Sequence, residues 1–213
     1  MRWNYRQSGF TLLEIVLVLA ITAALIAGIF AGQAALLARS NFQQDVEKVK
    51  NDLKTLQAQA VTTVNSNPSA SAGNSNQQVF GIVALFSSAS PNTIQVITLL
   101  TAPAGTTLDA TTIPPTALSM RSVSYSSGQQ SKAIIFTRSP DFIYVVNSPG
   151  SSPSTDVLNS LNYFRQNPNF NLALPYHTTC GAADFNLQAS SFTNYAACII
   201  VDTQNNDITR VFK

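Results

Sequence analysis

The sequence is poor in the residues that carry most enzyme chemistry. Among 213 residues there is one histidine, one tryptophan and two cysteines, and Lys, Arg, Asp and Glu together make up only 10%. A typical soluble domain carries roughly 25% charged residues. His177 has no other histidine and no cysteine at metal-ligand spacing, which excludes a metalloenzyme built on histidines. There is no nucleophile-elbow G-x-S-x-G, no Walker loop and no G-x-G-x-x-G, so no nucleotide or cofactor motif is present. Twelve basic side chains face ten acidic ones, a balance that does not point to a polyanion-binding protein. Two cysteines are too few for a disulfide scaffold, and 45% hydrophobic content is too high for a disordered chain. What remains is a chain long enough for one domain with an appendage and a substantial core.

Charge is distributed more informatively than its total suggests. Between Arg6 and Arg39 lie 32 residues with a single charge, Glu14. Seven charges then fall between Arg39 and Lys54, and the 159 residues after Lys54 carry only twelve. Three regimes follow: an apolar helix (10–38) preceded by the basic residues 1–9, a charged amphipathic continuation (39–64), and a charge-poor remainder made of a polar connection (65–78) and a globular part (79–213).

The stretch Phe10 to Ala38 is 29 residues without a proline. A membrane-crossing helix needs about 20 apolar residues. At ~1.5 Å per residue this one would run on the order of 44 Å, against a hydrocarbon core of ~30 Å. Tilt, or burial against another protein, would accommodate the surplus. Arg2 and Arg6 precede the run and no acid does, which places the N-terminus on the cytoplasmic side. A cleaved secretory signal has an apolar core of about 7–15 residues, half the length seen here. Glu14 is the anomaly, because a carboxylate deep in a membrane costs about 2.5–3.5 kcal/mol and marks function by default. Two readings are open: it snorkels to water at the cytoplasmic edge, or it neutralises a cation. An α-amino group created by a nearby cut would supply that cation.

Ser8-Gly9 followed by Phe10-Thr11-Leu12-Leu13-Glu14 and a long apolar helix resembles the N-terminus of type IV pilins and type II secretion pseudopilins. The likeness covers about residues 1–64. It implies that a prepilin peptidase cuts between Gly9 and Phe10, that the new amino group of Phe10 is N-methylated, and that Glu14 attracts the amino terminus of a neighbouring subunit during assembly. Two positions depart from the family pattern. Gln7-Ser8 stand where Lys or Arg often precedes the glycine, and Ala31 occupies the place of a frequent helix-kinking proline. Gly28 and Gly32 flank that place. Each costs about 1 kcal/mol in a helix interior, so they would loosen the helix locally, or serve as a small-residue packing pair, or simply be tolerated.

Beyond the apolar run, Phe42, Val46, Val49, Leu53, Leu56, Ala60 and Val64 recur at intervals of three and four and form one apolar face. Glu47, Lys48, Lys50, Asn51 and Lys54 lie largely off it. One helix over 10–64, ended by Pro68, is expected to act as the spine of a globular domain. Strands are expected at Val79–Phe86, Thr93–Thr101, Ser119–Tyr125, Ala133–Thr137, Phe142–Val146, Ala197–Asp202 and Ile208–Phe212. A short helix is expected at Asp156–Gln166 with Ser154 or Thr155 as cap, and a hairpin loop between Asp202 and Asp207. The fold class is α+β: a long N-terminal helix packed on a mainly antiparallel sheet.

Cys180 and Cys198 are the only cysteines, and outside the cytoplasm an isolated pair favours a disulfide. Many pilins staple a C-terminal loop in this way, so the resemblance implies the same pairing; two free thiols in a reducing setting is the alternative. His177 reads as a loop or surface residue. Asp202, Asn205, Asn206 and Asp207 faintly suggest a calcium loop but lack the EF-hand spacing and its glycine, so an ordinary polar turn is expected. The combined expectation is a structural subunit, not an enzyme, with no cofactor. Its expected partners are the peptidase and methyltransferase, further subunits, an assembly platform and the membrane. Nucleic acid is left open, as are adhesion, motility, DNA uptake and secretion as roles. The resemblance implies a major or minor pilin of a type IV pilus, held in the inner membrane before assembly and then extracellular; a type II secretion pseudopilin in a periplasmic pseudopilus is the main alternative, and an unprocessed single-pass anchor carrying a binding domain is the alternative from another class.

Overall fold

The computed structural model describes residues 11–62, 79–101, 108–109, 114–126, 128–137, 143–147, 177–182, 184–190 and 195–213. The chain divides into two compact units, Met1–Asn41 and Phe42–Lys213. One helix, α1, runs from Leu12 to Thr62. Residues 63–78, including Val64, Pro68 and the polar connection, lie outside the described residues, as does the helix expected at Asp156–Gln166.

In the first unit the described side chains of α1 from Leu12 to Leu37 are exposed. Between Leu12 and Leu37, fourteen large apolar side chains are each at least 51% exposed. Burying such a side chain is worth about 1.5–3 kcal/mol, so leaving them all in water costs on the order of 20 kcal/mol. That exceeds the ~5–15 kcal/mol net stability of a whole domain. The helix is long and apolar enough to cross a membrane, and none of its most apolar window is buried among the described residues.

The second unit is built on the amphipathic part of α1. Phe42, Val46, Val49, Leu53, Leu56 and Ala60 are all buried and belong to one core. Among the described residues ten strands accompany them: β1 Val79–Phe86, β2 Thr93–Thr101, β3 Leu108–Asp109, β4 Thr116–Ser119, β5 Val123–Tyr125, β6 Lys132–Thr137, β7 Ile143–Asn147, β8 Phe185–Ala189, β9 Ala196–Asp202 and β10 Asp207–Phe212. They form two antiparallel sheets. The larger has the order β3-β2-β1-β6-β7, with β4 also pairing with β2; the smaller has the order β10-β9-β8-β5. The arrangement is α+β, a long helix on antiparallel sheets.

Alternation along β1 and β6 explains how the larger sheet packs. Ile82, Ala84, Phe86, Ile134 and Phe136 join the core that contains α1. Val83, Leu85, Ala133 and Ile135 face the other way and form a second buried cluster with Ile97, Leu99 and Val146. Burial on both faces is why β1 reads as an almost continuous apolar run.

Several expectations need correction. Ser119–Tyr125 is not one strand: Thr116–Ser119 pairs with β2 in the larger sheet, whereas Val123–Tyr125 pairs with β8 in the smaller. The break has a physical cause. The Met120 amide donates to Asn92 O (2.8 Å) and the Ser122 amide to the Asp45 carboxylate on α1 (2.7 Å), so the chain leaves one ladder before entering the next. Two sheets replace the single sheet expected. Strand β8 was not anticipated, although Phe185 and Leu187 are buried and alternate with less buried Asn186 and Gln188. The two-residue strand β3 was not anticipated either; β1, β2, β6, β7, β9 and β10 start and end within one residue of expectation, and Phe142 lies outside the described residues. The Asp202–Asp207 hairpin is present, with Asn206 at φ 53° in its turn.

Candidate functional site: the helix N-terminus and the ties of the globular unit

Thr11 precedes the first residue of α1 and caps it. Its hydroxyl accepts from the Glu14 amide at 3.3 Å, and its carbonyl accepts from the amides of Glu14 (3.0 Å) and Ile15 (3.2 Å). Thr11 and Glu14 therefore occupy the cap and third positions of the threonine-x-x-glutamate pattern that closes helix N-termini. Sequence reading singled out Glu14 and passed over Thr11, though the spacing that marks it was in plain view. Glu14 sits in the first turn, where the helix dipole favours a negative charge. Gly9 and Phe10 lie outside the described residues.

Farther along, Thr22 turns its hydroxyl into the helix, donating to the carbonyls of Val18 and Leu19 (3.2 Å to the latter). This removes a polar group from an otherwise apolar surface. Gly28 and Gly32 are helical, and a Cβ at either would meet nothing within 4 Å. No neighbour among the described residues requires a glycine there.

In the globular unit the C-terminal hairpin is tied to α1 by charge. Lys54 Nζ donates to Asp207 Oδ1 at 2.9 Å, the Gln57 amide donates to Asn206 O at 3.0 Å, and Arg210 pairs with Glu47, which also receives Lys50. The Lys50 bond and then the Arg210 bond hold the Glu47 carboxyl below its usual range, and Lys54 does the same for Asp207. Asn206 Oδ1 accepts from the Ile143 amide (3.2 Å), which links the hairpin turn to the edge of the larger sheet. Burial opposes the charge on Asp202. Bonds from the Asn205 side chain, the Asn205 amide and the Gln204 amide outweigh it and lower that carboxyl's pKa. Its oxygens are thus occupied by the turn itself, at 2.7–3.0 Å. Among the described residues no group of three or more His, Cys, Asp or Glu is placed to hold a metal ion.

Cys180 and Cys198 are joined in a disulfide that ties the segment before β8 to β9. The same segment is held from below by Lys132, a 4% exposed lysine that sequence reading did not single out. Its ammonium donates to the carbonyls of Ala182 (2.6 Å) and Asp184 (2.8 Å) and lies 5.7 Å from the Phe185 ring centre. Burial lowers its pKa, and the charge of Asp184 works against that. His177 is part of this segment, one-third exposed, with Nε2 3.2 Å from the buried Asp184 carboxylate, whose other oxygen receives the Gly181 amide.

These features separate into an exposed apolar helix with a capped, acid-bearing start, and a polar-tied globular unit without a reactive constellation among the described residues. Residues 4–30 match the family model described as a prokaryotic N-terminal methylation motif. No curated protein matches the chain, and no solved structure matches it.

Proposed function

From a chain that carries a prepilin-type N-terminus like those of type IV pilins and pseudopilins, we propose a structural subunit of a type IV pilus. The prepilin enters the membrane through α1 with Arg2 and Arg6 inside. A prepilin peptidase cuts after Gly9, and the Phe10 amino group is methylated. Subunits then leave the bilayer and polymerise through the apolar part of α1, guided by the inner-membrane assembly platform. The observation that carries the reading is the overlap of the methylation motif, residues 4–30, with a helix whose large apolar side chains are exposed among the described residues. Lipid covers them first and neighbouring helices later. Glu14, at the capped start of α1, supplies the carboxylate for a neighbour's Phe10 amino group. Gly28 and Gly32 leave the helix surface free of side chains where a neighbouring helix packs.

Removing residues 1–9 takes Arg2 and Arg6 with it and leaves ten basic against ten acidic side chains. The basic excess is therefore confined to the leader, where it serves orientation.

Mass spectrometry of the N-terminal peptide from membrane-derived protein tests the processing. The expected peptide begins at Phe10 and carries one methyl group; an intact Met1 in the mature pool would point to an unprocessed anchor instead. Glu14→Ala should leave membrane insertion intact and sharply reduce incorporation into sheared filaments. Normal filaments from that variant would sink the charge-pairing role. Filaments that never reach the cell surface, with the protein processed all the same, would favour a type II secretion pseudopilin.

A further inference from the structure

Cys180 and Cys198 are unequal partners in the disulfide that joins them. Cys198 lies in β9 with no exposure, whereas Cys180, in the segment before β8, is partly exposed. Ala197 and Ile199 belong to the core that contains α1, so strand alternation turns Cys198 to the opposite face of the smaller sheet. Cys180 meets it there. Val211 O of β10 lies 3.8 Å from Cys180 Sγ, an acceptor for the thiol once the bridge is open.

The segment that carries Cys180 is fixed by bonds that do not involve sulfur. Lys132 donates to Ala182 O and Asp184 O, and the Asp184 carboxylate receives the Gly181 amide and lies 3.2 Å from His177 Nε2. The Gln129 side chain donates to Asp184 O at 3.3 Å and accepts from the Asn186 amide at 3.1 Å, while the Asn186 side chain donates to Gly181 O at 2.9 Å. Cys180 is thus pinned from both sides along the chain. Gln129 and Lys132 stand 50–57 positions away from the groups they hold. Lys132 belongs to β6 of the larger sheet and the held segment leads into β8 of the smaller, so the segment takes its place only once the two sheets have come together. A bridge of this span contributes less than the usual net stability of a domain, so the reduced domain keeps its fold. Buried polar groups that satisfy one another are costly to part, and the cover over Cys198 therefore stays in place with the bridge open.

We infer that the globular unit folds with both thiols reduced, and that Cys180 is the entry thiol through which an external disulfide then oxidises the pair. The Cys180 thiolate attacks one sulfur of the oxidant's disulfide, forming a mixed disulfide and releasing the oxidant's other sulfur as a thiolate. The Cys198 thiolate then attacks Cys180 Sγ, which closes the bridge and expels the second oxidant thiolate. The two protons of the cysteine thiols end on the two oxidant thiols, and the oxidant takes up both electrons. Reduction runs the same path backwards, with the reductant's thiolate attacking Cys180 Sγ. The partner is a disulfide-bearing oxidant, and the Lys132–Asp184 network acts by position, presenting Cys180 to it and keeping Cys198 behind. The inference is independent of how residues 10–38 are used.

The test uses the full-length chain in detergent with oxidised glutathione as the probe. Cys198→Ala leaves only Cys180 and Cys180→Ala leaves only Cys198, and mass spectrometry follows glutathione uptake by each. In the folded chain Cys180 should react at least about tenfold faster, because Cys198 reacts only through local opening. In urea the two rates should converge; a difference that survives unfolding would rule out burial as its cause. Lys132→Met in both backgrounds should bring the two folded-state rates toward each other by speeding the reaction at Cys198. A single-cysteine variant that does not fold is replaced by the reduced wild type. Limiting oxidised glutathione, quenched early, should then give a mixed disulfide on the Cys180 peptide at least about tenfold above that on the Cys198 peptide. Hydrogen exchange of the reduced wild type should show β6, β8 and β9 protected before any oxidant is added. Equal labelling of the two cysteines in the folded chain, or faster labelling of Cys198, would overturn the entry assignment. Unprotected β8 and β9 in the reduced chain would overturn folding ahead of the bridge.

Discussion

Gly81 provides the sharpest test of how the globular unit is packed. It lies in β1 opposite Thr137 of β6, next to a register shift between Val79 and Gly81. A Cβ built there falls 2.3 Å from the Phe136 carbonyl oxygen, 3.2 Å from its carbon and 3.3 Å from Thr137 Cα. Carbon and carbonyl oxygen approach to about 3.3–3.6 Å in favourable contacts between strands, so Gly81→Ala requires a displacement of ~1 Å. The obstructing atoms are backbone, and the neighbours Ile82 and Val83 are buried on opposite faces of the sheet, at 7% and 0% exposure. The strand therefore has no free side toward which to swing. Overpacking of this kind costs about 1–3 kcal/mol, and the backbone clash places Gly81→Ala at the upper end. At roughly 2–4 °C per kcal/mol for a chain of this size, the melting temperature of the full-length protein in detergent, followed by near-ultraviolet circular dichroism, should fall by about 6–12 °C. Gly128→Ala is the control. A Cβ there meets nothing within 4 Å, but φ is 93°, so only backbone strain of about 1–2 kcal/mol applies. A melting temperature for Gly81→Ala within a degree or two of wild type, or no lower than that of Gly128→Ala, would refute the close approach of β1 and β6.

The core face of α1 should behave differently from its outer face. Leu53→Ala, at a position with 0% exposure, should lose about 2–5 kcal/mol in urea unfolding, whereas Asn51→Ala should stay within about 0.5 kcal/mol. Replacing both Cys180 and Cys198 by serine removes a bridge across 18 residues and should lower stability by about 3 kcal/mol. A reducing agent should lower the wild type equally and leave the double variant unchanged. Acid should loosen the tie between hairpin and helix. Glu47 and Asp207 have pKa values lowered in the folded state by Lys50 with Arg210 and by Lys54, so their contribution is complete above the ordinary carboxylate range and disappears as pH falls through the lowered values. These pairs are partly exposed and weak, worth under about 1 kcal/mol each. The expected readout is faster exchange of the β10 amides below that range, and Asp207→Asn should abolish its share of the pH dependence.

The sheet was legible wherever one side chain in two, or nearly every one, was apolar and β-branched. Val79–Phe86 and Thr93–Thr101 stand in the structure with the bounds their composition implies. Phe185–Ala189 was not legible because its outward residues, Asn186 and Gln188, dilute the apolar signal over only five residues. Ser119–Tyr125 misled because it starts on the last residue of β4 and crosses a brief gap into β5, and the two look like one run. The gap is enforced by partners, Asn92 and Asp45, that lie far away in sequence. The cap at Thr11 was written in the Thr11-to-Glu14 spacing, while Lys132 carried no mark at all. A single lysine at the start of an apolar strand reads as an exposed edge until the carbonyls of Ala182 and Asp184 are brought over it.

The sequence by itself determined the local and one-dimensional properties of this protein. These are the 29-residue apolar run, the basic residues before it, the methylation motif with Glu14 inside it, and the helical periodicity from Phe42 onward. Each follows from neighbours within a few residues, where hydropathy and spacing suffice. Tertiary structure decided what depends on distant partners: two sheets instead of one, the burial of the larger sheet on both faces, and the lysine holding the disulfide segment. It also decided the return of β10 along α1, which sets Phe212 against Phe42. Those features are fixed by pairing and ionic contacts between residues up to 163 positions apart, and no local pattern encodes which distant group will satisfy a given charge or ladder.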